Sequence, residues 1–120
     1  MTSIPFIIGA TTEYRKWTET FRTEYSILNS LPEKTIYTDI GSGGFLQFYF
    51  GYNRDIKILE AAKLEDIRDS YVILHSSHGI VYYQPMKNGL PHFAKNLPQQ
   101  WELIKSFEAS NVNSKIYYVP

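Results

Sequence analysis

The chain has 120 residues, enough for one domain that buries its own core without crosslinks. Twelve basic and twelve acidic residues balance to zero, which excludes the basic excess of a nucleic-acid footprint or a polybasic membrane patch. There is no cysteine, so disulfide scaffolds and thiolate zinc sites are excluded too.

Aromatic residues make up 16% of the chain, led by ten tyrosines. Tyrosine joins an apolar body to a polar tip, so this content suits a surface that rests against a partner or a membrane. No run approaches the ~20 apolar residues that a membrane span requires. The opening run Ile4-Pro5-Phe6-Ile7-Ile8 lacks the basic lead and cleavage pattern of a signal peptide. Residues 1–10 therefore read as an N-terminal arm or a membrane-helix stub, and residues 11–120 as a single α/β domain.

Thr11 or Thr12 is placed to cap a first helix, in which Tyr14, Trp17, Phe21, Tyr25 and Leu28 recur at helical spacing. Glu13, Arg15, Lys16, Glu19, Arg22 and Glu24 fill what reads as a solvated opposite face. The helix should stop near Asn29-Ser30, ahead of Pro32. The stretch from Lys34 to Tyr52 then organises the chain. A β-branched strand, Thr35 to Asp39, ends in an acid; the glycine loop Ile40-Gly41-Ser42-Gly43-Gly44 follows; a short, largely buried helix runs from Gly44 to Tyr52.

Ile56 to Glu60 reads as a second strand, Ala61 to Asp69 as a helical turn, and Tyr71-Val72-Ile73-Leu74 as a central strand buried on both faces. His75-Ser76-Ser77-His78-Gly79 reads as a turn, with Ile80 to Gln84 as a hairpin partner. Pro85 to Pro98 carries three prolines and reads as a long loop. Trp101, Ile104 and Phe107 then suggest a last helix starting at Pro98. Ser114 to Val119 closes the chain as a strand. The expected fold is a small α/β sandwich with a mostly parallel sheet of four or five strands and helices on both faces.

In such sheets ligands bind where loops leave the carboxyl ends of strands. Asp39, Gly41, Ser42, Gly43 and Gly44 are thus the candidate ligand loop, with Glu60 as a candidate ribose-binding acid. The acid followed by glycines resembles the first motif of S-adenosylmethionine-dependent methyltransferases. However, Phe45 and Leu46 stand where further glycines belong. The plainer reading is a tight turn in which Asp39 or Ser42 caps the next helix.

His75 and His78 lack an evident third metal ligand and read as turn residues. Neither Ser76 nor Ser77 sits in a nucleophile elbow. Glu65, Asp66 and Asp69 share their turn with Lys63 and Arg68 and read as a solvated face. Tyr82-Tyr83 with Tyr117-Tyr118 could form a carbohydrate platform, although half-buried strand tyrosines are commoner. No catalytic residue and no metal ligand is assigned.

One resemblance is more specific. Ile36-Tyr37-Thr38-Asp39, Leu46 to Tyr52 and Asp69 to Leu74 are followed by Leu97-Pro98-Gln99-Gln100-Trp101-Glu102-Leu103-Ile104-Lys105-Ser106-Phe107 and by Lys115-Ile116-Tyr117-Tyr118-Val119. This order resembles the soluble C-terminal domain of polytopic membrane glycosyltransferases that use polyprenyl-phosphate sugars, among them protein mannosyltransferases and aminoarabinose transferases. The resemblance implies a non-catalytic domain on the extracytoplasmic side of the cytoplasmic membrane. Its partners would be the transmembrane part of the parent protein and a glycan or lipid-linked acceptor, with no cofactor and no nucleic acid. The catalytic acid of that family lies in its membrane region, so none is carried onto this chain. Two alternatives stand beside it: a free-standing domain binding an adenosyl or phosphate ligand at Asp39 to Gly44, and an interaction module with no small ligand.

Overall fold

In a computed structural model of the chain, residues 17–77, 80–81, 97–109 and 112–120 are described. The arm at residues 1–10, the caps Thr11 and Thr12, His78, Tyr82-Tyr83 and most of the Pro85 to Pro98 loop lie outside them.

Helix α1 covers residues 17–29 and ends where expected. Ser30 and Leu31 donate back to the Ile27 and Leu28 carbonyls, and Pro32 blocks any further turn. Strand β1 (Thr35–Thr38) leads into helix α2 (Ile40–Tyr49), then strand β2 (Ile56–Ile58). Two 3₁₀ turns, Leu59–Ala61 and Leu64–Asp66, lead to β3 (Ser70–Ser77) and the short β4 (Ile80–Val81). β5 (Glu102–Ala109) and β6 (Val112–Val119) form a closing hairpin.

The result is the small α/β fold that the sequence predicts. The sheet runs β2-β1-β3-β6-β5, with β4 paired to β3 beyond that path. β1 pairs in parallel with both β2 and β3, so one side of the sheet is parallel. β3–β6, β5–β6 and β3–β4 are antiparallel.

Each face of the sheet has its own core. Ile36, Tyr71, Ile73 and Ile116 meet Phe21 and Leu28 of α1 and Leu46 of α2. On the other face Tyr37, Val72, Tyr117 and Val119 meet Leu59, Ile67 and Trp101. Thus the two α-helices cover one face, and the 3₁₀ turns help cover the other. The alternation along β1, β3 and β6 that separates these sets is the two-residue period of a strand.

Three expectations about individual elements need correction. First, residues 102–109 form a strand where a helix from Pro98 was expected. Ile104 and Phe107 share a core because a bulge between Leu103 and Lys105 resets the alternation, while Trp101 serves the opposite core. Bulge and helix both place residues three apart on one side, which is why the spacing misleads.

Second, α2 starts at Ile40, so the glycines lie within its first turns, and it is not largely buried. Phe45 and Phe48 are exposed, as is Tyr52 just past its end. Third, β2 stops at Ile58, which puts Glu60 in a 3₁₀ turn instead of at a strand end.

A buried histidine between two carboxylates

β1 has its successor β2 on one side and β3 on the other. Helix α2 makes the first connection over one face, and the 3₁₀ turns make the second over the other. The carboxyl end of β1 is therefore a topological switch point, where an open α/β sheet offers its ligand crevice. Asp39 follows β1 directly there, and His75 lies toward the carboxyl end of the parallel neighbour β3.

His75 is not a turn residue. β3 continues through it to Ser77, and its side chain is fully buried on the helix-covered face. Its Nδ1–H donates to Asp39 Oδ1 at 2.6 Å. On the opposite edge of the ring, Nε2–H donates to Glu24 Oε2. With both nitrogens donating, the ring is an imidazolium. Burial disfavours that charge, yet the two carboxylates outweigh it and raise the His75 pKa to about 10.

The flanking groups are themselves held. Ser42 Oγ donates to Asp39 Oδ2 at 2.8 Å, and Ser114 Oγ donates to Glu24 Oε2 at 2.6 Å. Burial works against ionised Asp39, but the His75 and Ser42 hydrogen bonds prevail and hold its pKa below the ordinary 3.8. Glu24 Oε1 is buried without a hydrogen-bond partner. Trp17 meets the His75 ring edge-on at 5.2 Å between centroids, and Phe21 does so at 6.2 Å.

Each of these residues is placed by its element. Ser114 sits directly opposite His75 in the β3–β6 register, so one face of the sheet carries both. Glu24 belongs to the buried row of α1 with Phe21 and Leu28, not to its solvated face as the sequence suggested. The signal was present: Trp17, Phe21, Glu24 and Leu28 follow a four-three-four spacing, which is one helix stripe. An acid on such a stripe needs a buried partner. His75 had a weaker signal, since it continues the alternation of Tyr71 and Ile73.

Of the candidate ligand loop, the structure brings Asp39 and Ser42 into this array and leaves the glycines out of it. Asp39 stands at the N-cap position of α2, where its backbone carbonyl accepts from the Ser42 and Gly43 amides. Its carboxylate makes no cap bond and turns into the core. Gly43 is buried, and an added Cβ would make only ordinary contacts with Ile56 and Thr38. Gly44 is exposed, and an added Cβ would meet nothing there. Gly41 lies in the same first turn of α2.

Chemically, the array is a lock. A doubly donating imidazolium with a pKa near 10 does not accept a proton at neutral pH, and Asp39 has committed both oxygens. The carboxylates approach opposite edges of one ring and so do not converge on a shared point. Among the described residues no group of three or more His, Asp or Glu side chains is arranged to hold a metal ion. The lock joins α1, the β1–α2 corner, β3 and β6 in a single chain of contacts. Compared with family models, curated proteins and solved structures, the chain matches none.

Proposed function

We propose that this chain is a non-catalytic docking domain of a larger assembly, a polytopic membrane glycosyltransferase, and lies on the extracytoplasmic side above the transmembrane part. The observation that carries the non-catalytic reading is the state of Asp39. At the one position where this topology offers a ligand crevice, both carboxylate oxygens are committed to the chain's own His75 and Ser42. Outward, the described residues expose large apolar side chains, among them Phe48, Tyr52 and Leu103. The parentage rests on the segment order described above and on no match to a known protein. Among the described residues no helix is long and apolar enough to cross a membrane.

An antibody raised against the domain tests this in cells of the source organism. The expected result is a membrane-fraction polypeptide much larger than 14.0 kDa. A 14.0 kDa band in the soluble fraction overturns the parentage. Calorimetry of the purified chain with adenosyl and phosphate ligands is expected to give no heat. Heat that Gly43→Val abolishes would instead make this a ligand-binding domain.

A further inference from the structure

Strand β2 ends the sheet on its parallel side, paired with β1 alone among the described residues. The Ile36 amide donates to the Asp55 carbonyl, and Ile36 stands opposite Ile56 in the register. In a parallel ladder that phase turns the main-chain groups of Asp55 and Lys57 toward β1. The amides and carbonyls of Ile56 and Ile58 therefore face outward, with no strand beside them among the described residues.

A cavity of about 530 Å³ adjoins this edge. All three residues of β2 line it, together with Tyr37, Ala61, Ala62 and Asp66. Consecutive strand residues point to opposite faces, so a cavity lined by three in a row reaches the strand's edge. Tyr37 belongs to the core under the 3₁₀ turns, and Lys57, its register partner, lies on that same face. The Tyr37 ring and the two alanines make this side of the cavity largely apolar. Lys57 and Asp66, both exposed, add one charge of each sign to the lining.

We infer that the β2 edge is a binding site for an extended peptide segment of another protein, which adds as a further strand and seats an aliphatic side chain in the cavity. Two separate features select that ligand. Outward amides and carbonyls along a strand are matched by another extended backbone. An added strand also turns every second side chain to the Tyr37 face, where the cavity lies. The opposite edge is less regular: β5 has a bulge between Leu103 and Lys105, whereas the β1–β2 register is unbroken.

A second copy of the chain is a poorer match. Paired edge to edge, its β2 segment would offer this face Asp55 and Lys57, both charged, and no apolar group for the cavity. The inference does not rest on the glycosyltransferase reading, since it concerns the edge and cavity of this chain alone.

A displayed library of random linear peptides, panned against the immobilised full chain, tests it. Enriched peptides are expected to share one aliphatic residue within a β-branched run. A synthetic copy of an enriched peptide should slow hydrogen exchange at the Ile56 and Ile58 amides, which exchange fast without it. N-methylation of its internal amides should abolish binding. Ile58→Pro removes an outward donor and leaves the bonds to β1 in place, as edge strands tolerate. Ala61→Trp crowds the cavity from an exposed position. Each variant is expected to weaken binding about tenfold or more, with the circular dichroism spectrum and melting of the wild type retained. Absence of any enriched peptide overturns the proposal. So does an enriched peptide that leaves the Ile56 and Ile58 amides unprotected, or that binds both variants as tightly as the wild type. A concentration-dependent dimer that Ile58→Pro abolishes also overturns it, by giving the edge to a second copy.

Discussion

His75 Nδ1 lies 2.6 Å from Asp39 Oδ1, joining the strand at the middle of the sheet to the corner where β1 turns into α2. On the far edge of the same ring stands Glu24, from a helix that precedes both.

Replacing His75 by Leu leaves Asp39 and Glu24 buried beside an apolar side chain. Breaking a buried ion pair from one side typically costs about 3–5 kcal/mol. Urea unfolding of His75→Leu should show a loss of that order. Adding Glu24→Leu should cost less than the sum of the two single losses, because the second change removes a charge already stranded. Additive losses would show that the ring and the Glu24 carboxyl do not act as a pair.

The same contact fixes a pH dependence. The His75 pKa is raised from 6.5 to about 10, so its contribution is complete below 6.5 and is lost as pH rises through about 10. Asp39 works in the opposite direction. Its pKa is lowered from 3.8, so its share is present above 3.8 and lost as pH falls through the lower folded value. Stability from the pair is therefore greatest between 3.8 and 6.5. The alkaline loss is on the order of a few kcal/mol. Urea midpoints measured from pH 5 to pH 10.5 should fall, and the His75 share of that fall should vanish in His75→Leu.

Two glycines of the α2 region should respond in opposite directions. Gly44 lies in the helix with open space around an added Cβ, so Gly44→Ala should stabilise by about 0.5–1 kcal/mol. Gly51 has φ +66°, where alanine costs about 1–2 kcal/mol. Thermal melts of the two variants should bracket the wild type, each displaced by a few degrees. A destabilised Gly44→Ala would contradict placement of that residue inside a helix.

β5 is an edge strand, paired only with β6 among the described residues. Native-state hydrogen exchange should separate its amides into protected ones that bond β6 and fast ones that face outward. A helix over residues 102–109 would instead protect consecutive amides. Lys105 and the adjacent bulge give this edge two of the features that discourage pairing with another chain.

Local features of the sequence determined much of the architecture. The stripe of Trp17, Phe21 and Leu28 made α1, the β-branched run made β1, and Tyr71 to Leu74 marked the strand buried on both faces. Such signals are legible because a helix or strand has its own period, and each apolar stripe must meet a core. They failed at β5, where a bulge imitated helical spacing, and at α2, where an apolar helix was expected to be covered.

What the sequence could not decide was which polar residues would meet. Glu24, Asp39, His75 and Ser114 are far apart along the chain, and each has an ordinary role locally: a surface acid, a cap, a turn histidine, a strand serine. Packing α1 on the sheet, register between β3 and β6, and the parallel pairing of β1 with β3 brought them within hydrogen-bonding distance. Charge is tolerated in a core only when its partners arrive together, and that arrival is a property of the tertiary arrangement.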